Sequence, residues 1–284
     1  MNCLKVILNI QEELRRYIKE NAIKSLVIGV SGGIDSALCC AIAHPVCRDL
    51  GIPLIGRSLP IESKSDEITR AHLIGEVFCD LFDVKDLANP VRSMLDATFH
   101  NGWENGTIRQ ANIKARMRMI YLYDLAQLHN GMVLSTDNLT ELLLGFWTLH
   151  GDVGDYGMLQ NLWKTEVYEL AKYKVTQFKV TAGQKQHADA LQACIDAVPT
   201  DGLGVSDSDF DQLGADSYEE IDKILQGYFN ELAKDENSDN VRSIEKHPVI
   251  QRHLRTEFKR NNPYNIPRTE VFRGITNTNY LPLR

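Results

Sequence analysis

Ser31-Gly32-Gly33, then Asp35-Ser36 one residue later, stand between a short apolar run and a helix-like one. Strand, glycine turn, helix is an arrangement that binds anions. Glycines let backbone N–H groups approach phosphate oxygens, and the dipole at a helix N-terminus favours negative charge. The Ser31 and Ser36 hydroxyls can donate further bonds. Asp35 would repel a phosphate met directly, but it can hold a Mg2+ that binds one. The lysine that kinase-type and GTPase-type loops place before their Ser/Thr is missing. A loop without that lysine, but with a carboxylate, suits pyrophosphate as a leaving group. Taken alone, the same residues also fit a plain Gly-Gly turn whose helix is capped by Asp35 and Ser36.

The elements that must position this loop are readable from periodicity. Residues 4–20 carry apolar side chains at helical spacing, and residues 25–30 form a buried-strand run. A helix is expected over 36–50, with Pro45 kinking or ending it. Residues 52–57 are a second strand. Ser63 or Ser65 can cap a helix to Phe78, and 79–84 is a short strand. The clearest helix is 107–129, with Ile113, Met117, Ile120, Tyr121, Leu125 and Leu128 as one apolar stripe and Gly131 at its C-terminal end. Residues 132–135 are a further strand. This alternation predicts an α/β fold: a doubly wound, mainly parallel sheet with helices on both faces. We expect a single domain over 1–284. Within it, 201–223 is an acidic, turn-rich loop leading into a helix, its first part (201–214) a candidate lid. Residues 261–284 form an extended C-terminal tail.

Composition bounds the rest. The chain has 284 residues, 43% hydrophobic and 24% charged, with a net charge of −7. That charge argues against a nucleic-acid partner, which usually demands a basic face. No stretch is long and apolar enough for a membrane span, and the charged N-terminus does not resemble a signal peptide. Six cysteines, with no CxxC pair and no zinc spacing, are expected to be reduced thiols in a cytoplasmic protein.

SGGIDS resembles the loop of the N-type ATP pyrophosphatases, whose fold is adenine nucleotide α-hydrolase-like. These enzymes cleave ATP between the α and β phosphates and transfer AMP to a substrate oxygen. Further stretches narrow the resemblance to the NAD synthetase family, ammonia-dependent type. NIKARMRM (112–119) resembles its NIKARxRM helix, and STDNLTELLLGFWTLHGDVGD (135–155) its TDxxE…GF…GD block. WKTEVYEL (163–170) resembles its NKxxVxxL turn and helix, and PTDGL (199–203) its PTxxL loop. The matches run in order over residues 25–260.

The resemblance implies roles. Asp35 and Glu141 would share Mg2+ and, with Lys164, form the catalytic group. Ser31, Gly32, Gly33, Ser36, Thr136, Lys164 and Thr200 would bind ATP, with Arg57 near the adenine where the sequence departs by one residue. Asn112, Arg116, Phe146, Asp155 and Lys259 would bind deamido-NAD, with Arg116 reaching the site of a neighbouring subunit in a homodimer. Asp155 is the choice because the segment after Gly154 is about one residue shorter than in the family. The chain also departs from the family pattern elsewhere: it has Asn138 in place of His, Leu149 in place of Lys, and Phe258-Lys259 in place of His-Lys. These departures suggest an intact nucleotide half and a dinucleotide half that has lost polar groups or uses others, such as Trp147 or His150.

The implied reaction is ATP-dependent amidation of deamido-NAD by ammonia, free or delivered by a separate chain, through an adenylated carboxylate, with release of AMP and pyrophosphate. The alternatives are an ATP pyrophosphatase that amidates or thiolates another substrate, and an idle nucleotide-binding protein on the same fold.

Overall fold

Strands β1 (Leu26–Gly29), β2 (Leu54–Ser58) and β4 (Met132–Ser135) are buried along nearly their whole length, which is the pattern of a parallel sheet covered on two sides. In the computed structural model, which describes residues 1–98, 106–152, 154–198, 210, 213–267 and 270, these strands pair with β3 (Leu81–Val84) and a two-residue edge strand β5 (Tyr156–Gly157). The order is β3-β2-β1-β4-β5, and every pairing is parallel.

Alternation along the strands sorts the core. Leu26, Ile28, Leu54 and Leu134 face one large cluster built with α1 (Cys3–Glu20), α2 (Ile34–Leu50), α3 (Ser65–Phe78), α7 (Lys164–Val180) and α8 (Lys185–Ile195). Val27, Ile55 and Val133 face the other side, where Leu125 and Ala126 of α5 (Gly106–Leu128) pack on them. Before α5, helix α4 (Ala88–Ala97) covers a smaller cluster of Leu59, Ile61, Leu87 and Val91. A satellite core joins α6 (Leu139–Leu144), α9 (Tyr218–Leu232), α10 (Asp239–Ile244) and α11 (Pro248–Arg255), and α12 (Glu257–Arg260) follows.

Chain connections leave β1 toward β2 and β4 toward β5, in opposite directions across the sheet. The carboxyl ends of β1 and β4 therefore flank the crevice where ligands bind in such folds.

Several expectations are corrected. Helix α2 begins at Ile34 and continues through Pro45 to Leu50, where Gly51 ends it at φ +66°. Four residues of the stripe read on α5 do pack, Leu125 on the sheet and Ile113, Met117 and Tyr121 on the Leu59 cluster, and the other two do not. Ile120 and Leu128 are 53% and 71% exposed, while Ala111 and Ala115 are buried in their place, small side chains letting that face of the helix come close to its neighbours. Glu141 lies in the first turn of α6. Thr200, the PTDGL loop and nearly all of the candidate lid lie outside the described residues, as does most of 268–284. Residues 261–267 carry neither helix nor strand.

Candidate active site

The glycine loop follows β1. Gly32 has φ +82°, and a Cβ there would stand 2.3 Å from the Glu67 carbonyl of α3; a side chain is excluded on both counts. Ser36 Oγ donates to Gly33 O at 3.1 Å and accepts from Ser31 N–H at 3.3 Å, while Ser31 Oγ accepts from Gly33 N–H at 3.2 Å. Arg70 Nε donates to Gly32 O at 3.0 Å, tying the loop to α3. Gly33 is the N-cap of α2 and supplies no side-chain acceptor, so the first N–H groups of that helix are left for a ligand.

From the other side of the crevice comes the capping box of α6. Asn138, fully buried, accepts from Glu141 N–H at 3.0 Å through Oδ1, and the Glu141 carboxylate lies 3.4 Å from Asn138 N–H. The Asn138 amide also donates to Asp35 Oδ1 at 2.9 Å. One side chain thus fixes the start of α6 and one oxygen of Asp35.

Lys164, first residue of α7, completes the group. Its ammonium lies 2.5 Å from Asp35 Oδ2 and 2.9 Å from Glu141 Oε1, and only 4% of its side chain is exposed. Burial pulls its pKa down, but Asp35 and Glu141 outweigh that and hold it well above the usual lysine value. Burial pushes the Glu141 carboxyl up to about 7, with Lys164 opposing and Asp35 adding to the rise. Asp137 is held well above the carboxylate range, first by burial and then by Glu141.

The position of Lys164 is set from α9. Asp222, 1% exposed, accepts from Thr140 Oγ1 at 2.5 Å and from Thr165 N–H at 2.9 Å. Thr140 Oγ1 in turn accepts from Lys164 N–H at 2.9 Å.

Around this centre lies a cleft of about 540 Å³ lined by Ser31, Gly33, Asp35, Ser36, Glu141 and Lys164. Arg57 and Thr136 line it too, as do Asn112, Phe146 and Lys259. Asn112 Oδ1 accepts from Thr148 Oγ1 at 2.9 Å. The Arg252 guanidinium sits 3.8 Å over the Phe146 ring. Lys259 Nζ donates to the Gly145 and Trp147 carbonyls. Two donors on the cleft wall, Arg57 Nε and Trp147 Nε1, are buried without a hydrogen-bond partner among the described residues.

Two sequence-selected residues stand elsewhere. Asp155 accepts from Tyr123 Oη at 3.1 Å and Val133 N–H at 2.8 Å, joining the lead-in of β5 to β4. Asp152, three residues earlier, is the aspartate of this segment that lines the cleft. Arg116 is exposed and donates to Leu149 O at 3.1 Å; it does not line the cleft of its own chain. Sequence reasoning missed Asp137, Asp152, Arg118 and Asp222. The first two lay inside the quoted TDxxE…GD block and Arg118 inside NIKARMRM, whereas Asp222 carries no local signal.

A parallel sheet with a glycine loop after its central strand, facing converging carboxylates across a switch-point cleft, defines an adenine nucleotide α-hydrolase-like protein. The profile of one family, NAD synthase, matches residues 6–263, and the chain belongs to that family. An NH(3)-dependent NAD(+) synthetase of Thermoplasma volcanium is 31% identical over 266 residues, covering 92% of this chain and 97% of the relative. The enzyme of the same name from Chlorobium phaeobacteroides is 34% identical over 215 residues, 75% of this chain and 70% of the relative. Among solved structures, an NMN synthetase from Francisella tularensis superposes with a TM-score of 0.75 at 26% identity, over 94% of this chain and 99% of that one.

Proposed function

We propose that the protein is an ammonia-dependent carbon–nitrogen ligase that amidates deamido-NAD to NAD, consuming ATP and releasing AMP and pyrophosphate. The observation that carries this reading is the convergence of Asp35 and Glu141 on one cationic point beside the glycine loop. Both carboxylates touch the same Lys164 nitrogen, so both can reach one metal ion. Mg2+ is commonly held by one or two carboxylates plus substrate phosphates and water, and this donor set fits it. Bound there, Mg2+ would neutralise charge on the ATP phosphates. Lys164 would then serve the phosphates as a second positive group.

In the reaction, a nicotinate carboxylate oxygen attacks the α-phosphorus. The bond from that phosphorus to the oxygen bridging to the β-phosphate breaks, and pyrophosphate departs toward Ser31–Ser36. Ammonia attacks the acyl carbon of the mixed anhydride, its carbon–oxygen bond to AMP breaks, and the amide nitrogen loses a proton to solvent. The chain's own contribution is orientation and fixed charge. Arg57 and Trp147 offer unmatched donors to the bound substrates.

A homodimer is the assembly this reading favours. Arg116, turned out of its own cleft, shares α5 with exposed Ile120 and Leu128, so its guanidinium would serve a partner's site. The cysteines among the described residues are free, which suits the cytoplasm. No described helix is long and apolar enough to cross a membrane.

A second reading is amidation of the mononucleotide acid. The match to the NMN synthetase and the apolar Leu149, where the family pattern has lysine, favour it. Incubation with ATP, Mg2+, ammonium and a panel of acids tests both. AMP release triggered by deamido-NAD supports the first, and release triggered by nicotinic acid mononucleotide alone supports the second. Release by neither rejects both.

A further inference from the structure

Buried lysines are normally paired, yet Lys174 of α7 is 9% exposed. Among the described residues its ammonium has no hydrogen-bond or ion-pair partner, only the Phe178 ring at 4.5 Å from the centroid. It lines a cavity of about 300 Å³ between α2, α3, α7 and α8. His44 and His187 line the same cavity, with ring centroids 6.4 Å apart. His44 Nδ1 lies 2.6 Å from the Phe78 carbonyl, whereas the His187 ring bonds the Val77 backbone and its Nδ1 is buried with no hydrogen-bond partner among the described residues. Phe78 and Phe178 stand 5.0 and 5.5 Å from the His187 ring and close the wall.

Three nitrogen bases thus face a cavity that no described carboxylate lines. Burial pushes the pKa of each of the three downward, and for Lys174 nothing opposes it. The pocket is remote from the catalytic group. Ten residues of α7 separate Lys174 from Lys164, about 15 Å of helix.

We propose that this cavity is a second ligand site, taking a small oxyanion, either a phosphate or a carboxylate on a compact flat body. The anion would pair with the Lys174 ammonium and accept from His187 Nδ1–H, while His44, its Nδ1–H held by the Phe78 carbonyl, joins the aromatic wall that covers the remainder. The volume has no room for a dinucleotide alongside these groups. This assignment stands independently of the reaction assigned to the main cleft.

The test follows the imidazole NMR signals of His44 and His187 at fixed pH during titration with inorganic phosphate and, separately, with benzoate. Saturable shifts with either probe are expected, and the tighter of the two identifies the anion type. Lys174→Met should weaken binding by about tenfold to a hundredfold while AMP-forming turnover stays unchanged, and Lys174→Arg should retain binding. His187→Phe keeps the wall, removes the unpartnered nitrogen, and should weaken binding by about threefold to tenfold; it serves alone if Lys174→Met does not fold. Saturating MgATP should leave the titration unaltered. Shifts no larger than sodium chloride gives at equal ionic strength would overturn the proposal. So would equal binding by the folded variants, or displacement by MgATP.

Discussion

Replacing Asn138 removes two bonds that serve different ends. Its Oδ1 caps α6 at Glu141 N–H and its amide holds Asp35. Loss of an N-cap costs about 1 kcal/mol, and loss of a hydrogen bond to a charged group about 1.5–3 kcal/mol. Asn138→Ala should therefore destabilise the fold by about 2.5–4 kcal/mol. Asn138→Ser keeps a cap acceptor but is too short to reach Asp35, so it should lose only the second part, about 1.5–3 kcal/mol. With a urea m-value near 3 kcal/mol/M, the Ala variant should unfold at a midpoint lower by about 1 M and the Ser variant by about two-thirds of that. Both release Asp35 from one of its two fixed directions, so both should lose turnover to a similar degree despite unequal stability. Urea unfolding followed by circular dichroism, with pyrophosphate release as the activity assay, separates the two effects. If Ala and Ser variants have equal midpoints, the cap assignment fails. If Asn138→Ser turns over like the parent protein, the Asp35 bond has no part in catalysis.

Other expectations are equally direct. With the Glu141 carboxyl near 7, Mg2+ binding measured calorimetrically should weaken about tenfold per pH unit below 7 and level off above it. The folded value is raised above the unfolded 4.5, so the native state holds the extra proton between them, and this group's contribution to stability declines as pH rises from 4.5 to 7. Asp222→Ala leaves Thr165 N–H buried without its acceptor and should cost about 1–3 kcal/mol in urea unfolding. It should also lower kcat, because Lys164 loses its support; unchanged kcat would mean that Asp222 only holds the fold. Inactive Arg116→Ala mixed with inactive Asp35→Asn should regain up to about a quarter of parental activity through heterodimers with one intact site. A dead mixture in which heterodimers demonstrably form would return Arg116 to its own chain.

Local chemistry was legible in the sequence, and long-range support was not. The Ser31–Ser36 loop needs its residues at fixed short spacing, so its strand–turn–helix context could be read directly. Lys164 read alone is only a surface charge; its burial depends on Asp35 and Glu141, which lie far off in the chain. Asp222 reaches Thr165 across 57 positions, a pairing no periodicity encodes. Asn138 read as a departure from the family's His in the substrate half, yet its amide holds Asp35. Asp152 and Asp155 are three residues apart in a shortened segment, and only packing distinguishes the cleft aspartate from the one that pins β4. The helical period of α5 and four of its six stripe residues were readable, whereas Ile120 and Leu128 stand exposed and the small Ala111 and Ala115 complete the buried face.

In the proposed reaction the substrate carboxylate is activated by AMP transfer at the Asp35–Glu141–Lys164 group. Deamido-NAD carrying 18O in its nicotinate carboxylate tests it in a single turnover with MgATP and ammonium. The account predicts one 18O in the phosphate of the AMP formed, stoichiometric unlabelled pyrophosphate, and no label transfer by Asp35→Asn. Label in inorganic phosphate with ADP as co-product, or AMP free of label, would contradict it.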